Sequence, residues 1–213
     1  MMISTKETLS KEQVRQYHQQ GWLGPFTLIS EVQMAEVRRR INQEILEPGR
    51  IAELHEKDYF HNRHLDNRCI YELLSHPNLV EKAARILGGH LVLWRTNFQL
   101  KPPLAEQDDW DTEIPWHQDC AYYQPSPNVI LSAWIAVDEA TRASGCMRVL
   151  PRSHKRLYPH IRRPRAERFG LFADPSTFDP NKAVDIELKP GQFVFLTRAF
   201  FTLPSLIGPH PVG

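Results

Sequence analysis

Two side chains two positions apart offer the first chemistry in this sequence: His117 and Asp119, within Pro115-Trp116-His117-Gln118-Asp119. An imidazole offers a neutral nitrogen and a carboxylate an anionic oxygen. On an extended strand, residues i and i+2 point to the same face, so the spacing predicts that both side chains reach one point. Joined by a second histidine from elsewhere, such a pair makes the two-His-one-carboxylate facial triad, which holds Fe(II) and keeps coordination positions open. His-x-Asp alone carries little. It recurs at His64-Leu65-Asp66, in a polar stretch that reads as a solvated turn. A lone buried histidine is also commonly a hydrogen-bonded core residue. Cys120, beside Asp119, reads as a small strand residue without the spacing of a nucleophilic dyad.

These residues need a scaffold, and residues 10–89 read as helical. Ser10 with Gln13 makes a capping box, Val14 and Tyr17 share a face, and Gly21 ends the helix. A second helix starts near Ser30, carries Val32, Val37, Ile41 and Ile45 as an apolar stripe, and stops at Pro48-Gly49. Arg38, Arg39 and Arg40 read as its solvated face. A third helix has Pro77 in its first turn, continues through Leu79, Val80, Ala83 and Ile86, and closes at Gly88-Gly89. Strand-like runs follow at Leu91–Leu100, Val129–Val137, Cys146–Leu150, Val184–Leu188 and Gln192–Thr197. Leu104–Thr112 reads as a loop, and Tyr158–Asn181 as a long connection rich in Arg and Pro. Helices followed by strands, with no boundary linker, predict one α+β domain over residues 1–213. Its mainly β core is a sandwich or barrel buttressed by N-terminal helices.

Composition bounds the function class. The 213 residues are 41% hydrophobic and 24% charged, as in ordinary globular domains. Lys+Arg 26 against Asp+Glu 25 gives a net charge of +1, which lacks the basic signature of a nucleic-acid binder. No apolar run has the length of a membrane span, and the opening MMISTKETLSKEQ has no apolar signal region. Cys69, Cys120 and Cys146 are far apart and read as reduced thiols. The expectation is a cytoplasmic protein that acts on a small molecule, without nucleic acid or membrane.

The run from Pro115 to Lys155 resembles the phytanoyl-CoA dioxygenase family of Fe(II)/2-oxoglutarate oxygenases. The matching parts are His117-Gln118-Asp119, Tyr122-Tyr123, Ala133-Trp134-Ile135-Ala136, Asp138, Ala140, Gly145-Cys146 and Leu150-Pro151-x-Ser153-His154-Lys155. Arg152 stands where the family commonly has glycine. Tyr17–Gly21, His76–Gly88 and Lys189-Pro190-Gly191-Gln192-Phe193-Val194-Phe195 extend the likeness over residues 10–201. The resemblance implies a double-stranded β-helix (a cupin-like jelly roll) over about residues 90–201. It implies His117 and Asp119 as iron ligands and catalytic residues, Trp134 and Asn97 lining the 2-oxoglutarate site, and His154 as a turn residue. The family's cosubstrate lysine has no clear equivalent; Lys57 and Arg63 lie nearby. The implied cofactors are Fe(II), 2-oxoglutarate as cosubstrate and O2.

The chain departs from the family where a second histidine is due. Counted from Gly191, that ligand falls on Thr202, and the aberrant tail 202–213 offers no later Arg to anchor 2-oxoglutarate. The last strand or strands of the jelly roll are expected to be missing. Permitted codons for Phe201–Gly213, read from the last base of Phe201, spell His-Pro-Ser-Glu-Pro-Asn-Arg-Ser, the family's motif. A one-base frameshift near Phe201–Thr202 is therefore expected. Three readings follow. The first is an Fe(II)/2-oxoglutarate dioxygenase hydroxylating a small organic substrate, since Asp119 argues against halogenation. The second is a catalytically impaired family member that acts at most as a binding protein. The third is a cupin-type metal-dependent isomerase or lyase. The arginines Arg152, Arg156, Arg162, Arg163, Arg165 and Arg168 read equally as a contact for an anionic substrate and as a solvated loop.

Overall fold

Reciprocal side-chain caps start the first two helices where the sequence places them. The computed structural model describes residues 8–48, 60–100, 114–122, 126, 129–162 and 170–197, and the backbone of 201–204. Helix α1 (Lys11–Gln20) begins at Ser10, whose Oγ accepts the Gln13 N–H while Gln13 Oε1 accepts the Ser10 N–H. Gly21, at φ 87°, ends it in the left-handed conformation that glycine adopts without strain. Helix α2 (Glu31–Ile41) repeats the device with Ser30 and Gln33, then continues as one π-helical segment, Asn42–Leu46. Helix α3 (Arg68–Leu74) is capped by the Asn67 side chain, and α4 (Pro77–Leu87) opens on Pro77.

The strands form two larger sheets and a short ribbon. They are β1 (Trp22–Thr27), β2 (His117–Gln118), β3 (Leu131–Ile135), β4 (Met147–Val149), β5 (His160–Arg162), β6 (Leu171–Ala173), β7 (Val184–Ile186), β8 (Gln192–Thr197) and β9 (Phe201–Pro204). One sheet has the order β1-β8-β3, the other β2-β9-β4-β7, and β5 pairs with β6. All pairings are antiparallel.

Strand β8 is the keystone, and its alternation shows where the core lies. Phe193 and Phe195 pack with Leu9, Tyr17, Leu23, Met34 and Leu79, so one face of the first sheet is covered by helices. Val194 and Leu196 pack with Val149, Ile186 and Leu188, so the other face meets the second sheet. A period of two thus turns one strand into the wall of two cores. Gly191, at φ 84°, feeds β8. Its carbonyl accepts the Leu28 N–H at 2.8 Å and its N–H donates to Ala136 at 2.9 Å. A Cβ there would stand 2.3 Å from the Ile29 carbonyl oxygen.

The predicted plan of helices buttressing a β core holds, with local corrections. The first 90 residues are not wholly helical: β1 occupies Trp22–Thr27, pairing with β8 through a register shift between Leu23 and Phe26. Pro25 has no N–H to give the ladder, and the shift accommodates it. Leu91–Leu100 forms no regular strand; Asn97 makes one bridge with His61. The connection Tyr158–Asn181 holds β5 and β6. Val37, Ile41 and Ile45 lie on the packed side as predicted, but Val32 is 82% exposed and Met34 takes its place in the stripe. Arg39 and Arg40 do make a solvated face, paired with Glu36 and Glu44. The predicted loop Leu104–Thr112 lies outside the described residues.

Candidate metal site

The short edge strand β2 and the turn after it place the predicted pair. His117 lies on β2, and Asp119 begins a 3-10 turn, Asp119–Ala121, instead of continuing the strand. The expected same-face geometry survives because Gln118 between them is extended, at φ −113° and ψ 131°. His117 Nε2 lies 3.5 Å from Asp119 Oδ1. His117 Nδ1 donates to the Pro115 carbonyl at 2.7 Å. A carbonyl only accepts, so Nδ1 carries a hydrogen, and Nε2 is the nitrogen turned toward the carboxylate. Tyr122 packs edge-on against the His117 ring, with centroids 5.6 Å apart. Burial pushes its phenol up to about 12, and the nearby Asp119 carboxylate acts in the same direction. Its hydroxyl donates to the Leu171 carbonyl.

The residue between the candidate ligands is the best buried of the group. Gln118 is 0% exposed. Its Nε2 donates to Arg156 O at 3.0 Å and Ser153 O at 3.4 Å, and its Oε1 accepts the Tyr158 N–H at 2.9 Å. The Ser153-His154-Lys155 signature is therefore a 3-10 turn clamped onto the segment of the candidate ligands. The turn's other side docks on the end of α1: Arg152 N–H donates to Gln20 O and His154 Nε2 to His18 O, both at 3.0 Å. His154 is a turn residue here, as the resemblance implies. Arg152 sits at φ 63°, ψ 8°, the left-handed region where glycine is at ease.

The other predicted positions lie elsewhere in the fold. Trp134 is half-buried on β3, opposite Val194, and packs into the cluster between the sheets that includes Val149. Asn97 is exposed and its Oδ1 accepts from Arg95 Nε at 3.1 Å. His64 does lie in a 3-10 turn, but it is 6% exposed, not solvated, and its Nδ1 is 3.0 Å from Thr96 Oγ1. Arg63 pairs with Asp66 of the same turn. Lys57 and Tyr123 lie outside the described residues. Arg156 stacks on the Tyr158 ring at 4.1 Å and donates to Thr177 O, so it serves the clamp.

Strand β9 runs between β2 and β4. Thr202 pairs with His117 on one side and with Val149 on the other. The position counted for a third ligand is thus directly across the ladder from the first. Two adjacent donors on one metal at about 2.1 Å each stand roughly 3.0–3.4 Å apart. The His117–Asp119 separation of 3.5 Å is close to that spacing. At the third position the residue type is threonine, a neutral hydroxyl in place of an imidazole. Among the described residues no group of three or more His, Cys, Asp or Glu is placed to hold a metal ion. The donor set fits two positions of a facial triad and not the third.

Comparison with known proteins places this arrangement in a family. The family model for phytanoyl-CoA dioxygenase (PhyH) matches residues 17–200. A probable phytanoyl-CoA dioxygenase from Caenorhabditis elegans is 28% identical over 139 residues, 61% of this chain and 43% of that protein. A probable alpha-ketoglutarate-dependent hypophosphite dioxygenase from Stutzerimonas stutzeri is 26% identical over 166 residues, 70% of this chain and 55% of that protein. The chain spans about half the length of the curated relatives it matches. Among solved structures, the non-heme monooxygenase ThoJ superposes with a TM-score of 0.77 at 20% identity, over 92% of this chain and 72% of that one. EctD from S. alaskensis with bound Fe gives 0.71 at 16% identity, over 97% and 75%. These likenesses show the jelly-roll fold. This chain belongs to the phytanoyl-CoA dioxygenase (PhyH) family.

Proposed function

We propose that this single-domain chain is built as an Fe(II)/2-oxoglutarate-dependent oxygenase of a small organic substrate. His117 and Asp119 are its protein metal ligands, and Thr202 stands in the place of the third. One observation carries the reading: an imidazole whose tautomer is fixed by Pro115 presents Nε2 to a carboxylate 3.5 Å away. Iron(II) with 2-oxoglutarate and O2 supplies the oxidising chemistry of such a site, with succinate and CO2 as coproducts. The chain's own residues do the rest. His117 supplies a neutral donor held rigidly by the Pro115 carbonyl, and Asp119 supplies the negative charge. Tyr122 stays a neutral phenol, so it adds no second anion beside Asp119. Trp134 is the proposed wall of the cosubstrate site, because it packs in the cluster with Val149, the ladder partner of Thr202. Asn97 is assigned to that site on its motif alone. Buried thiols outside any disulfide at Cys69, Cys120 and Cys146 support a reducing compartment. No helix among the described residues is long and apolar enough to cross a membrane.

The second reading, an impaired member that only binds, is favoured by the same register. Two ligands hold Fe(II) more weakly than three, and threonine is a poor substitute for histidine. The frameshift belongs to this proposal: read one base out of phase, the codon at Thr202 can restore a histidine opposite His117. Gene sequencing tests that step directly. The functional test is succinate formation from 2-oxoglutarate with Fe(II), comparing this chain with a frame-restored one. The expected result is turnover by the restored chain and at most a small fraction of it here. Equal turnover would remove the need for a third ligand, and a restored chain that binds no Fe(II) would remove the metal reading.

A further inference from the structure

Strand β5 brings one more imidazole to the ligand segment, and the metal reading leaves it without a task. Among the described residues β2 is the edge of its sheet, where a backbone N–H takes an acceptor from outside the ladder. His160 supplies one. Its Nε2 accepts the Gln118 N–H at 3.1 Å, and its Nδ1 donates to the Tyr158 carbonyl at 2.8 Å. That carbonyl fixes the tautomer, leaving the lone pair on Nε2 for the Gln118 N–H. The same Tyr158 returns its own N–H to Gln118 Oε1, so the peptide and the side chain of Gln118 are gripped by one short stretch. β5 is itself braced by β6 through the pair His160↔Ala173, and the Ala173 N–H donates to the Trp116 carbonyl at 2.8 Å. The segment is thus fixed on both sides of His117.

We propose that His160 is a positioning residue. Its Nε2 caps the open edge of β2 and fixes the rotation of the peptide joining His117 to Gln118, and so the aim of His117 and Asp119 at a common ion. This rests on the metal reading above. A two-residue strand has little ladder of its own to set that rotation. Removing the acceptor frees the peptide to turn and spreads Nε2 and Oδ1. Residues that orient ligands in this way change metal affinity by about 10- to 100-fold.

The test uses the full chain with His160→Leu, His160→Gln and His117→Ala. It reads Co(II) affinity by visible absorption, metal-free melting, and hydrogen exchange of the Gln118 amide. His160→Leu is expected to weaken Co(II) roughly tenfold or more and to deprotect the Gln118 amide. His160→Gln, which keeps an acceptor, recovers part of both. A lower melting temperature with Co(II) affinity of the folded protein within about twofold of wild type marks a merely structural role and overturns the proposal. Unchanged protection of the Gln118 amide overturns it without reference to metal. If His160→Leu does not fold, His160→Gln and His160→Asn are read by the same criteria. Co(II) binding that survives His117→Ala sinks the metal reading itself. Binding lost in His117→Ala but intact in His160→Leu removes only the role of His160.

Discussion

The sheet β1-β8-β3 and the segment 115–122 are neighbours held by different forces. β8 pairs with β3 over five consecutive residues from Leu131↔Thr197 to Ile135↔Phe193, and four of its six residues are buried. Its order comes from apolar contact on two faces, which is strong and non-directional. The ligand segment has two residues of ladder, His117↔Thr202 and Gln118↔Phe201. What holds it is a set of directional bonds: Gln118 to Ser153, Arg156 and Tyr158, the Gln118 N–H to His160, and Trp116 to Ala173. Apolar packing sets where the candidate site lies, and hydrogen bonds set where His117 and Asp119 aim. Damage to the first should lower stability and spare ligand affinity in the folded fraction. Damage to the second should cost both.

The largest effect is expected in the sheet. Phe193→Ala removes a ring that is 0% exposed and should cost about 3–5 kcal/mol in urea unfolding, while Co(II) affinity of the protein that remains folded stays near wild type. Parallel loss of affinity would blur the distinction. Gln118→Leu should cost about 2 kcal/mol, because it strips partners from the Ser153 carbonyl and the Tyr158 N–H. It should also weaken Co(II) at least as much as His160→Leu does, and a variant that loses only stability contradicts the clamp. A pH dependence separates the regions again. Burial holds His154 and His160 below the usual histidine value of 6.5. The folded state therefore favours their neutral forms. That stability is fully present above about pH 6.5 and is lost as pH falls through the lower folded values. Urea melts at pH 7.5 and 5.5 should show the slope in wild type and Phe193→Ala alike. His154→Gln should flatten it. The smallest effect is a gain. Arg152→Gly relieves a left-handed residue worth about 1–2 kcal/mol but loosens the unfolded chain by about 0.5–1 kcal/mol. A net stabilisation of about 0.5–1 kcal/mol is expected, and a lower melting temperature would show that the Arg152 side chain holds something more.

Local signals in the sequence were legible and long-range ones were not. The box Ser10/Gln13, the start near Ser30, the stop at Gly21 and the start at Pro77 are set by neighbours within a turn, and all stand in the structure. β8 matches Gln192–Thr197 residue for residue, because a doubly buried strand is an unbroken apolar run. β1 was hidden by Gly24-Pro25, whose turn character is overridden by pairing with a strand near the other end of the chain. α3 was hidden in the polar stretch after His64; its one signal is Asn67, whose side chain caps Ile70. His117 and Asp119 come together as their spacing predicts, although the strand ends between them. Alternation puts Gln118 on the face opposite the pair, but its burial comes from Ser153, Arg156 and Tyr158, 35 to 40 positions away, and was not legible. Nor was His160, since 42 positions separate it from the N–H it accepts. Nothing short of the folded connection brings the two together.

Gly191 shows how little freedom the keystone leaves to heredity. Any mutation that changes the amino acid at this codon adds at least a Cβ, 2.3 Å from the Ile29 oxygen, at a backbone φ of 84°. The obstacle is main chain, which no rotamer can move aside. Of the twenty amino acids only one fits the junction of the β1–α2 turn, the strand β8 and the end of β3. In a saturation library scored for folded protein, this column should be empty except for its wild-type entrant, while codons for the exposed arginines of α2 accept most replacements. The codon therefore serves as an internal control for such a library: a tolerated replacement at Gly191 would signal a different fold rather than a forgiving one.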